Sequence, residues 1–200
     1  MPVAAPESRT GRWERPRPAV IVAITLPVLL AVVVAAIAIV VRVRGIGGPD
    51  AAAPAPAETG PLAVAPVDAP GAGSPECTSV LGAVPAELPG PEEPLPERPL
   101  SAPAPAGVRA WVAAPRPVVL RCGLPRPVEL TPSSPLIEIN GVNWLQLTDI
   151  APDPTLSSYV AVDRPVYVVL TMPSTVGSGP LQAVSDAVRT TLPPTPIAVR

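Results

Sequence analysis

The apolar positions of this chain keep three different rhythms. From Pro18 to Val41 they run together, 24 residues without a charge between Arg17 and Arg42, with Thr25 the one polar side chain. A helix of that length reaches about 36 Å, enough to cross a hydrocarbon core of about 30 Å with some tilt. The run therefore predicts a transmembrane helix over 18–41, kinked at Pro27. Further on, Cys77, Val80, Leu81 and Val84 recur at helical spacing before Pro85. Leu181, Val184, Val188 and Leu192 do the same between Pro180 and Pro193. Each set is one apolar stripe on a helix.

Between the two stripes the rhythm is that of strands. Val108–Ala114 and Pro117–Cys122 are short β-branched or aromatic runs, set apart by Pro115-Arg-Pro117 and Gly123-Leu-Pro125. The segment LIEI-NG-VNWLQL, residues 136–147, carries the Asn-Gly dipeptide of a two-residue type I′ turn and predicts a hairpin. In that register Ile139 opposes Val142 and Ile137 opposes Trp144 on an apolar face. Leu136 opposes Leu145 and Glu138 opposes Asn143 on a mixed face, which predicts partial cover. Residues 159–172 predict two more strands about Asp163-Arg164-Pro165. Val166, Val168, Leu170 and Met172 line one face there, with Tyr167, Val169 and Thr171 on the other. Five or six strands with hairpin-length connections between two helices predict an α+β domain with a mainly antiparallel sheet.

Proline divides the chain. The sequence holds 34 prolines and 14 glycines in 200 residues. Residues 42–75 predict an extended, proline-rich linker. Residues 85–107, which carry Glu87, Glu92, Glu93 and Glu97, predict a solvated irregular loop. The expected organisation is a tail over 1–17, the transmembrane helix over 18–41, the linker over 42–75 and the α+β domain over 76–195.

Charge then orients the chain. Arg9, Arg12, Arg15 and Arg17 precede the apolar run and Arg42 and Arg44 follow it, which predicts a cytoplasmic N-terminus and an extracytoplasmic domain. A cleaved signal peptide would have an apolar core of about 7–15 residues. This run exceeds that, although Ala51, Ala53 and Ala55 offer a late cleavage site. A lipoprotein needs its cysteine next to the core, and Cys77 lies 36 residues beyond Val41. In an oxidising compartment Cys77 and Cys122 are expected to form one disulfide; a redox pair would lack the CxxC arrangement.

Composition also excludes chemistry. All 14 basic residues are arginine, and there is no histidine, lysine or phenylalanine. That excludes Ser-His-Asp and Cys-His catalysis, imidazole metal sites and Schiff-base lysines. The bias towards Ala, Val, Pro and Arg is what a GC-rich coding sequence produces, an actinobacterial hint. Beyond residue 45, eight arginines face fourteen acidic residues, a balance of −6. This argues against a nucleic-acid partner.

Several landmarks stand in order along the chain: Leu88-Pro89 after the first cysteine, Trp111, PVVLRCG at 117–123, NGVNW at 140–144, VAVDRPVYVVLTMP at 160–173 and LQAVSDAV at 181–188. With the single N-terminal anchor, they resemble the actinobacterial envelope proteins grouped as DUF3515, a domain of unknown function. The resemblance implies an envelope compartment and one fold unit, and no reaction.

The candidate ligand-binding residues are polar groups among the strands: Arg121, Asn143, Trp144 and Arg164, an array suited to a sugar or peptide. Each also has a structural explanation, as core residue or hairpin tip. The expected function is a non-catalytic binding or scaffold module of the cell envelope, meeting an envelope protein or a wall component. No cofactor, metal or nucleotide is expected. The alternative is a wall-active carbohydrate hydrolase using Asp149 and Asp153, or Glu138, as its carboxylates.

Overall fold

Six strands, all paired antiparallel, form the sheet that organises the domain. The computed structural model describes residues 30–36, 56–148 and 155–199. The chain divides into two units, Met1–Ala52 and Ala53–Arg200. In the first, residues 30–36 are helical, and Leu30, Val32, Val33 and Val34 expose their side chains. The rest of the transmembrane span expected over 18–41 lies outside the described residues. Among the described residues, no helix is long and apolar enough to cross a membrane.

The second unit opens with helix α1, Pro75–Ala83. Ser74 is its N-cap, accepting the Cys77 amide at 3.2 Å, and Pro75 supplies the preset φ of the first turn. The helix stops at Ala83 because Pro85 disfavours the helical conformation at Val84, which is extended. Short strands β1 (Glu87–Leu88) and β2 (Leu95–Pro96) follow. Then come β3 (Val108–Trp111), β4 (Val118–Leu124), β5 (Leu136–Ile139), β6 (Val142–Thr148), β7 (Leu156–Ala161) and β8 (Tyr167–Pro173). A 3-10 turn, Ser174–Val176, leads into helix α2, Gly179–Thr191. The sheet order is β3-β4-β8-β7-β6-β5.

The β5–β6 hairpin has the register expected from Asn140-Gly141, with Ile139 opposite Val142 and Ile137 opposite Trp144. Both turn residues take positive φ, 51° and 77°, as a type I′ turn requires. One face of the sheet packs under both helices. Its core joins Trp111, Leu120, Trp144, Val168 and Leu170 to Cys77 and Val80 of α1 and to Leu181, Val184 and Val188 of α2. The opposite face carries a smaller cluster of Leu130, Leu145, Val160 and Val162, with Leu136, Leu147 and Ile197 packed against it. The mixed face of the hairpin is therefore partly covered, as its pattern implied.

Three expectations change. Residues 85–107 are not simply a solvated loop: β1 and β2 pair there, and Leu88 is fully buried in the helix-side core. The chain between them and β3 also covers one sheet edge, with Arg98 N donating to Ala110 O at 2.8 Å and Val112 N to Pro96 O at 2.9 Å. Ile137, placed by alternation on the buried face, is 40% exposed, because β5 is the outermost strand. Of the expected linker over 42–75, the described part, residues 56–75, lies against the domain. Leu62 bridges Leu100, Arg98 pairs with Glu58 at 3.1 Å, and Gly71 N donates to Gly123 O at 3.0 Å.

That last contact depends on glycine at both positions. Gly123 sits at φ 83° in the irregularity of β4, and a Cβ there would stand 2.2 Å from the carbonyl carbon of Gly71. Gly123→Ala is expected to lower stability by about 2 kcal/mol, through the left-handed backbone and the displaced 69–72 segment. Thermal unfolding of the two proteins side by side measures it, and an unchanged midpoint would contradict this packing.

Candidate functional site

The four residues singled out among the strands do not converge. Trp144 is fully buried, and its indole Nε1 donates to Ser185 Oγ at 2.9 Å. Ser185 in turn donates to Leu181 O at 2.7 Å, so a buried hydroxyl on α2 satisfies the indole inside the core.

Asn143 and Arg164 do meet, on Asp163. Asp163 Oδ2 accepts the Asn143 backbone amide at 3.1 Å, the Asn143 side-chain amide at 2.8 Å and Arg164 Nη1 at 3.1 Å. Arg164 also donates to Asp163 O at 2.9 Å and to Gly141 O at 2.7 Å. Both charged side chains are nearly inaccessible, 2% exposed for Arg164 and 8% for Asp163. Thr195 N donates to Asp163 O at 2.9 Å and brings the C-terminal segment to the same point. The β7–β8 connection is thus an internal clamp tying the hairpin turn, the sheet end and the tail after α2.

Arg121 lies elsewhere, on β4 opposite Val169. It is half-buried on the face away from the helices and donates to Ala65 O at 3.1 Å, holding the docked 56–75 segment. Burial lowers its guanidinium pKa from the ordinary arginine value.

Two arginines with structural roles lacked a signal in the sequence. Arg109 on β3 donates to Leu81 O and Val84 O at the C-terminus of α1, at 2.8 and 2.5 Å. It also binds Glu97 through two contacts of 2.8 and 2.6 Å, and its guanidinium lies 5.0 Å from the Trp111 ring centre. A cation at the carbonyl end of a helix complements the helix dipole. Arg98 is 5% exposed and is held by Glu58 and by Gly60 O. Neither arginine is recognisable without its partners, 12 residues away for Arg109–Glu97 and 40 for Arg98–Glu58.

The carboxylates of the hydrolase reading are not assembled among the described residues. Glu138 is exposed on the edge strand β5, and Asp149 and Asp153 lie outside the described residues. Among the described residues, no group of three or more Cys, Asp or Glu side chains is placed to hold a metal ion.

A different feature has the character of a site. Residues of β6, β7 and β8 come together on the sheet with Ser174 of the 3-10 turn, Gly177, Ser178 and Leu181 of α2. A cup of about 290 Å³ results. Its apolar lining includes Met172 and Leu181, and its polar lining includes Gln146, Ser157, Tyr159 and Ser174. Register explains the convergence, since Gln146 opposes Tyr159 and Ser157 opposes Met172 across neighbouring strands. A larger concavity beside β3 is lined by residues that include Glu97, Arg98 and Arg109. Those charges are already engaged, with one another or with Glu58.

The chain matches, over residues 24–197, the family described as "Protein of unknown function (DUF3515)". It belongs to that family. No curated protein and no solved structure matches it. The resemblance carried by the sequence landmarks is thereby borne out, and the match reaches back into the apolar run. In this DUF3515 protein the PVVLRCG block is strand β4, which delivers Cys122 to Cys77. The NGVNW block is the hairpin turn with the core tryptophan, and the VDRP step holds the buried Asp163–Arg164 clamp.

Proposed function

We propose that this DUF3515 protein is a single-pass envelope protein whose disulfide-bonded α+β domain acts outside the membrane as a non-catalytic binding module. The observation that carries the reading is the disulfide. Cys77 on α1 and Cys122 on β4 are joined with a Cα–Cα distance of 5.5 Å, and both are buried in the core under the helices. Such bridges persist in oxidising compartments and are rare in the cytosol. The four-to-two arginine bias across the apolar run supports the same orientation. The cup beside α2 supports binding over catalysis, because among the described residues its lining carries hydrogen-bonding groups and no acid, base or nucleophile with a partner to activate it.

Topology is directly testable. Val128 is 73% exposed, and Val128→Cys places one free thiol on the domain surface. In intact cells a membrane-impermeant maleimide is expected to label that thiol as fully as in lysed cells. Labelling only after lysis would place the domain in the cytoplasm and end this reading.

A further inference from the structure

We infer that the cup between the ends of β6–β8 and the N-terminus of α2 is a binding site for an uncharged saccharide unit. This rests on the binding reading above and is independent of the membrane topology. Among the described residues, the side chains of Gln146, Ser157, Tyr159 and Ser174 line the cup with no protein partner for their polar atoms, while Ser178 Oγ is engaged by Gln182 Nε2 at 3.3 Å. Elsewhere on the same strands polar side chains do find partners, as Ser158 and Thr171 do at 2.8 Å. The four groups are three hydroxyls and an amide, and each can both donate and accept a hydrogen bond. Ligands whose own groups also do both, such as sugar hydroxyls, match that set.

Charge narrows the class. Among the described residues no lining residue is charged, so an ionic ligand would surrender its hydration without a counter-charge there. The volume, about 290 Å³, is near the lower end of small-molecule sites and suits one ring with its substituents. The half-buried Tyr159 supplies apolar surface for the C–H face of such a ring.

Saturation-transfer NMR on the full chain, kept in lipid nanodiscs prepared without glycolipid or glycoside detergent, tests the inference. The probes are glucose, galactose and N-acetylglucosamine, with glucuronate as the charged counterpart of glucose. At least one neutral saccharide is expected to receive saturation in preference to glucuronate. The double variant Gln146→Ala/Ser157→Ala is expected to weaken its binding about tenfold, and Tyr159→Leu to weaken it further. Gln146 is exposed, so Gln146→Ala alone keeps the comparison valid if the other variants fold poorly. Binding unchanged in Gln146→Ala and in the double variant would overturn the assignment of the site. Transfer to glucuronate alone would overturn the ligand class while preserving a binding cup. Transfer to no probe, with circular dichroism showing the folded protein, would overturn the inference and leave the binding module to be judged by crosslinked partners in cells.

Discussion

Removing the Cys77–Cys122 bridge is expected to lower the stability of the domain by about 4 kcal/mol, the chain-entropy value for a loop of this size. The two cysteines are 45 residues apart in sequence, and the loop between them contains β1, β2, β3 and most of β4. Opening it lets the unfolded chain explore many more conformations, while both side chains leave a fully packed core. The measurement is urea unfolding of the Cys77→Ala/Cys122→Ala variant beside the parent protein, followed by circular dichroism. Reductant should move the parent protein towards the variant and leave the variant unmoved. A midpoint that differs by less than the scatter between repeats would show that packing alone holds α1 on the sheet.

The second large effect belongs to the Asp163–Arg164 clamp. Asp163→Ala leaves a guanidinium that is 2% exposed without its carboxylate and removes the acceptor of both Asn143 donors. The expected cost is about 3–5 kcal/mol, the range for breaking a buried pair on one side. Replacing both residues, Asp163→Ala with Arg164→Met, should cost less than the single change, because no isolated charge remains buried. Among the described residues, Asp163 Oδ1 and Arg164 Nε have no hydrogen-bond partner in the protein, so the pair is not an optimised one. A double variant less stable than Asp163→Ala would show instead that the arginine's bonds to Gly141 O and Asp163 O dominate. Sugar binding at the cup, on the helix-side face beside α2, should survive in any variant that remains folded.

How much of this was legible in the sequence differs from element to element. The β5–β6 register followed from two residues, Asn140 and Gly141, because a two-residue turn leaves one pairing that keeps the apolar face together. The stripe of α2 and the alternation of β8 were equally plain, since each is a local period read against one buried face. The candidate ligand residues were less legible. Arg121, Asn143, Trp144 and Arg164 all stand in or beside strand patterns. Their side chains nevertheless go to the docked segment, the clamp and the core. The cup was invisible for the opposite reason. Gln146, Ser157, Tyr159 and Ser174 form no motif, and they come together because sheet register sets β6, β7 and β8 side by side.

The sequence by itself determined the α+β class, the antiparallel hairpins, the pairing of the two cysteines, the family and the chemistry that a chain without histidine and lysine lacks. These depend on local periodicity, turn chemistry and composition, which short stretches of chain carry on their own. Tertiary structure decided that residues 56–75 lie on the domain, that Leu88 is core, that Ile137 is not, and that Arg109 caps α1. Each of those depends on which distant backbone or side chain arrives alongside. Proline-rich segments show the difference most clearly: their composition removes regular hydrogen bonding within the segment but leaves carbonyls and amides free to meet a neighbour. Whether a neighbour is there is a property of the fold.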